Sequence, residues 1–110
     1  SGGRTFFVDA SDIVLARAAS NYVEVVTPAH TYLARSTLAE LERLLVAADG
    51  RHLRVHRSYI VNRDRIRTIS PTGDGNVSIE LDTGETVPGS RSYRDRLPGA
   101  GSEGASVTIS

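Results

Sequence analysis

The chain has 110 residues, 39% hydrophobic and 24% charged, which suits one globular domain with a modest core and is too short for two ordinary ones. With no cysteine it holds no disulfide framework, thiolate metal site or thiol nucleophile, and no run approaches the roughly 18 to 20 apolar residues needed to span a bilayer. Thirteen basic residues cancel thirteen acidic ones, so any attraction to nucleic acid or anionic lipid must be local.

The chain opens on Ser1-Gly2-Gly3, without a Met or a basic-then-apolar signal, so residues 1–4 read as a tag remnant or linker and the chain as cytoplasmic. Thr5 to Val8, Ile13 to Ala19 and Tyr22 to Thr27 are rich in β-branched and aromatic residues and predict strands, with Ser20-Asn21 as the turn between the last two. Pro28-Ala29 breaks the run before a strand over His30 to Ala34. A short amphipathic helix follows at about 37–48. Thr37 and Glu40 form a capping box, Leu38, Leu41, Leu44 and Leu45 make the core face, Glu40 and Arg43 face solvent, and Gly50 stops it.

Extended chain returns in Leu53 to Val55, Tyr59 to Val61 and Ile66 to Ile69, and Pro71 to Gly75 marks a loop. Val77, Ile79 and Leu81 alternate with Ser78, Glu80 and Asp82, and Thr83-Gly84 turns this strand into Glu85 to Val87 as a hairpin that ends at Pro88-Gly89. Ser90 to Leu97 fits either a short helical turn, near 91–96 with Ser90 as its cap, or irregular chain. Residues 98–110 read as a flexible tail, mostly Gly, Ser and Ala over 98–106, although Val107 to Ile109 suits an edge strand if a partner receives it.

Charge is unevenly spread. Residues 1–50 carry four Arg against six acids, 51–67 six Arg against Asp64, and 68–110 three Arg against six acids, so one basic stripe sits in a neutral protein. Every cation is Arg, whose planar fork suits phosphate oxygens and the acceptor edge of guanine. At the centre of the stripe stands His56-Arg57-Ser58-Tyr59-Ile60-Val61-Asn62, a His, an Arg and a hydroxyl at the opening of an apolar strand. Such a group can contact phosphate and base edges together; His56 capping the strand beside a solvated Arg57 accounts for it equally well.

Enzyme readings find less support. On a strand, His52 and His56 lie about 13 Å apart, too far to share a zinc ion, and His30 reads as surface. No nucleophile-elbow glycines surround Ser58 or Ser90, and Gly73, Gly75 and Gly84 belong to turns rather than a phosphate loop. No catalytic residue, metal or cofactor is expected.

Four segments together resemble the LytTR family of bacterial DNA-binding domains in order and spacing. They are Ile13 to Arg17 with Ser20-Asn21-Tyr22-Val23; Tyr32 to Leu38 with Leu41-Glu42; His56 to Asn62 with Ile66; and Val87-Pro88-Gly89-Ser90-Arg91-Ser92-Tyr93. The match covers about residues 5–97, with the HRSYIVN segment its most specific part. The resemblance implies a mainly β fold, elongated antiparallel β-sheets of β-β-β sandwich type with a small helical component. It also implies DNA recognition by loops between strands, entering successive major grooves, rather than by a recognition helix.

Carried over residue by residue, the base-reading positions are Asn21, Arg57 and Arg91. Asn suits the edge of adenine and Arg that of guanine, while for Arg57 base reading and phosphate gripping both stay open. Ser20, Tyr22, Arg35, His56, Ser58, Ser90 and Arg94 are backbone-contact or support positions, Tyr22 and Tyr93 are expected to pack beneath the loops, and Asn62 to shape the turn after its strand. One departure is a pI of about 6.8, well below the value above 9 of typical DNA-binding domains.

The implied function is sequence-specific binding of double-stranded DNA by a bacterial transcriptional regulator, as the effector domain of a two-component response regulator. An upstream receiver or sensor domain, absent from this chain, would drive dimerisation on paired half-sites; no membrane is involved. The alternative is a non-enzymatic protein-interaction or sensory β-domain that uses the Arg stripe against an acidic partner.

Overall fold

The computed structural model describes residues 5–48 and 50–97, leaving out the side chains of Arg94 and Asp95. The elements are β1 (Leu15–Ala19), β2 (Tyr22–Val26), β3 (Thr31–Ala34), α1 (Leu38–Ala48), β4 (His52–His56), β5 (Tyr59–Asn62), β6 (Ile66–Pro71), β7 (Val77–Leu81) and β8 (Thr86–Gly89). Short 3-10 turns occupy Ala10–Asp12, Arg63–Arg65 and Arg91–Arg96. The strands form two antiparallel sheets, one of five in the order β3-β2-β1-β5-β4 and one of three in the order β6-β7-β8. Extents of 47 × 27 × 24 Å make the molecule elongated.

Alternation along each strand builds three layers. One face of the five-stranded sheet presents Ala16, Val23, Val25 and Ile60 to Leu38 and Leu45 of α1. The other face presents Leu15, Val26, Val55 and Val61 to Val77, Ile79, Leu81 and Val87 of the smaller sheet. Ile79 and Leu81 are fully buried, each contributing roughly 1.5–3 kcal/mol by leaving water. The predicted alternation over 77–81 is therefore realised, and the mainly β, antiparallel fold with one helix matches expectation.

The capping box forms as its residue types dictate. The Thr37 N–H donates to Glu40 Oε1 at 2.9 Å, and the Glu40 N–H donates to Thr37 Oγ1 at 3.1 Å. These contacts with Thr37, followed by the Ser36 hydroxyl, hold the Glu40 carboxyl below its ordinary value. A depressed folded-state value means the stabilisation is present at neutral pH and is lost as pH falls through that lowered value. Thr37→Ala is expected to cost about 1 kcal/mol in urea unfolding.

Two expectations need correction, and a third, left open between two forms, is decided. Thr5 to Val8 forms no strand: Val8 packs against the helix-side core and Phe6 lies 5.2 Å from the Tyr32 ring, while Phe6 stays 58% and Phe7 96% exposed. Leu44 is 66% exposed, because it lies about 100° around the helix from Leu45 and so leaves the core stripe. Ser90 to Leu97 takes the helical alternative, as the 3-10 turn Arg91–Arg96. The flexible tail, the Val107–Ile109 strand and residues 1–4 lie outside the described residues.

Candidate nucleic-acid interface

The site is assembled by sheet topology. Strands β1 and β2 meet through Ser20-Asn21, with Ala19 opposite Tyr22, and Ser20 adopts a left-handed φ of 53° that puts Asn21 at an exposed tip. Antiparallel pairing of β1 with β5 sets Arg17 opposite Tyr59, so the β4–β5 tip, Arg57-Ser58, lies at the same end as Asn21. The Ala18 N–H donates to the Ser58 carbonyl at 3.0 Å, joining the two tips directly. On the other flank Val23 pairs with Ala34, which brings Arg35 out of β3 beside Tyr22.

The last segment arrives through an irregularity. The β4–β5 register shifts between Arg54 and His56, and the carbonyl of Val55, released from the ladder, accepts the Ser90 N–H at 2.8 Å. Ser90 and Arg91 thereby join the same end of the sheet. The Arg91 N–H donates to Asn76 Oδ1 at 2.9 Å. The Arg91 side chain crosses the β6–β7 loop at Gly75, where an added Cβ would lie 3.1 Å from Arg91 Cδ. Gly75 has a φ of 91°, which L side chains rarely adopt. In that loop Asp74 accepts from the Thr72 hydroxyl and then the Asn76 N–H, which hold its carboxyl below the usual range.

Asn21, Arg57 and Arg91, far apart in sequence, are all exposed on this end. Ser20 and Arg35 are exposed beside them, and Tyr22, His56, Ser58 and Ser90 are half-buried. Arg94 lies on the 3-10 turn, its side chain outside the described set. His56 Nδ1 accepts the Ser58 N–H at 3.0 Å, so the neutral ring carries its proton on Nε2. Tyr93 packs beneath Arg54 and Arg96, and Asn62 Oδ1 caps the following turn by accepting the Asp64 N–H at 2.9 Å.

The basic stripe does not survive as one surface. Arg51 precedes β4 and Arg63 follows β5, so with Arg65 and Arg67 they stand at the opposite end from Arg57, about 17 Å of strand away. There Arg51 faces Asp64 at 3.5 Å, Arg65 faces Asp82 at 3.6 Å, and Arg67 donates to the Asp82 carbonyl. His52 is also separated from His56: it is 97% buried, with Nε2 3.0 Å from the Ile13 carbonyl oxygen. Arg54, Glu42 and Asn76 brace the tips; Arg54 and Asn76 are not singled out in the sequence, and Glu42 stands there only within the resembling Leu41-Glu42 segment. Asn76 beside a turn glycine was the one visible hint.

The model of the LytTr DNA-binding domain matches residues 3–101. The chain belongs to the LytTr DNA-binding domain family. It is 33% identical over 96 residues to the sensory transduction protein LytT of Bacillus subtilis (strain 168), covering 87% of this chain and 39% of that protein. It is 36% identical over 100 residues to the CO-responsive transcriptional regulator RcoM of Rhodospirillum rubrum, covering 89% of this chain and 41% of that one. A solved LytTr DNA-binding domain from Bacillus cereus superposes with a TM-score of 0.78 at 29% identity, covering 90% of this chain and 92% of that chain. This LytTr chain thus spans about two fifths of the curated relatives it matches. No helix among its described residues is long and apolar enough to cross a membrane.

Proposed function

We propose that this LytTr domain is the DNA-reading effector of a bacterial response regulator, and that its specificity lies in three loops. Asn21 reads an adenine edge, and Arg57 and Arg91 read guanine edges, each in the major groove. Ser20, Arg35, His56, Ser58, Ser90 and Arg94 grip phosphates or support the tips, and Tyr22 packs beneath them. The observation that carries this reading is the convergence of Asn21, Arg57 and Arg91 on one exposed end of the sheet through three unrelated turns. The donor chemistry agrees: His56 has Nε2–H available, and the Arg91 stem is braced against Gly75.

The division of the basic stripe fits a protein of pI about 6.8. A small contact set gives weak non-specific affinity, so discrimination rests on base edges. In the full-length protein a receiver or sensor domain upstream brings two copies together on paired half-sites about one helical turn apart. A salt titration of affinity tests this, using paired half-sites, a single half-site and an unrelated duplex. Paired sites are expected to bind the full-length protein most tightly. Arg35→Ala is expected to weaken all duplexes alike and reduce the log–log salt slope by about 1. Equal affinity for unrelated and specific duplexes at physiological salt would sink the reading.

A further inference from the structure

Arg54 stands behind the β4–β5 tip with only 15% of its side chain exposed. Its Nε donates to the His56 carbonyl at 2.9 Å, and Nη2 donates to the Arg57 carbonyl at 2.5 Å. Nη1 donates to Glu42 Oε1 of α1 at 3.3 Å, while Glu42 Oε2 takes Arg96 Nη1, also at 3.3 Å. Both guanidiniums lie against the Tyr93 ring, 5.9 Å from its centroid for Arg54 and 4.9 Å for Arg96. All three Arg54 nitrogens are therefore engaged inside the domain, which distinguishes this residue from one that grips phosphate.

We propose that Arg54, oriented by Glu42, is a positioning residue that fixes the backbone of Arg57 for base reading and links it to the turn carrying Arg91. The proposal rests on the reading of Arg57 as a base contact. The carbonyls of two successive residues at a tight turn are held by one planar fork, which prevents the peptide units from pivoting. Since a guanidinium presents donors in three fixed directions, it holds both carbonyls and the Glu42 carboxylate at once; an ammonium on a flexible stem does not. Glu42 supplies the charge that keeps the largely buried cation in place, and its second oxygen ties the Arg91–Arg96 turn to the same point.

Arg54→Lys in the full chain tests this with two independent readouts. In native-state hydrogen exchange, the Ser58 amide, bonded to His56 Nδ1, and the Ala18 amide, bonded to the Ser58 carbonyl, are expected to lose about tenfold in protection. The Ile79 amide, in the smaller sheet, is expected to keep its protection. In selection from a random duplex pool, Arg54→Lys is expected to relax the base position that Arg57→Ala relaxes, and the double variant to relax it no further. Glu42→Gln acts in the same direction, and Arg67→Lys, at the opposite end, changes neither readout.

Unchanged protection of Ser58 and Ala18, or a preference lost equally at every base position, overturns the proposal. Loosening of the tip in Arg54→Lys, with base preferences intact in Arg57→Ala, instead overturns the assignment of Arg57 as a base reader and leaves the backbone clamp standing.

Discussion

Alanine at Asn21, Arg57 or Arg91 is expected to remove roughly 1–3 kcal/mol of base discrimination, each at a different position of the operator. All three side chains are exposed at one end of the five-stranded sheet, yet each stands on a different turn, so no two share a backbone segment. Their effects should be close to additive, apart from coupling between Arg57 and Arg91 through the Glu42 network. Selection from a random duplex pool with the purified chain and each variant gives the result directly. A short motif with three separately relaxed positions establishes loop readout. A uniform loss across all positions in all three variants would show that the side chains serve only the phosphates.

Gly89→Ala is expected to lower stability by about 1–3 kcal/mol, seen as a fall in the urea midpoint with the m-value unchanged. An added Cβ at Gly89 would lie 2.7 Å from Val77 Cγ2 and 3.0 Å from Ile79 Cδ1, and both residues are packed into the core. The backbone conformation there is open to any residue, so the cost is steric: the space a side chain at Gly89 would take is already filled by Val77 Cγ2 and Ile79 Cδ1. Because Ser90 donates to the Val55 carbonyl immediately after Gly89, a strand pushed off β7 also displaces Arg91. Gly89→Ala is accordingly expected to relax the base position that Arg91→Ala relaxes and to spare the one that Asn21→Ala relaxes. Unaltered stability would show that Val77 and Ile79 repack without strain.

Much of the fold was legible because it depends on local pattern. The alternation of Val77, Ile79 and Leu81, the Thr37–Glu40 capping box and the Ser20-Asn21 turn each declare themselves within a few residues, and all three are present. Leu44 departs because it lies about 100° around the helix from Leu45, and Thr5 to Val8 because apolar content alone does not place a segment in a sheet.

The site divides along the same line. The chemical kinds of the candidate readers, an amide and two guanidiniums in recognisable motifs, are legible along the chain, because side-chain chemistry is local. So is one helix among many strands, since periodicity and capping act over a turn or two. Strand pairing in three dimensions is what gathers Asn21, Arg57 and Arg91 at one end and sends Arg51, Arg63, Arg65 and Arg67 to the other. Arg54 and Glu42 come together behind the tip only in the folded chain. Antiparallel pairing places residues by strand direction and register, so neighbours in sequence are carried to opposite ends of a sheet and distant residues are brought together.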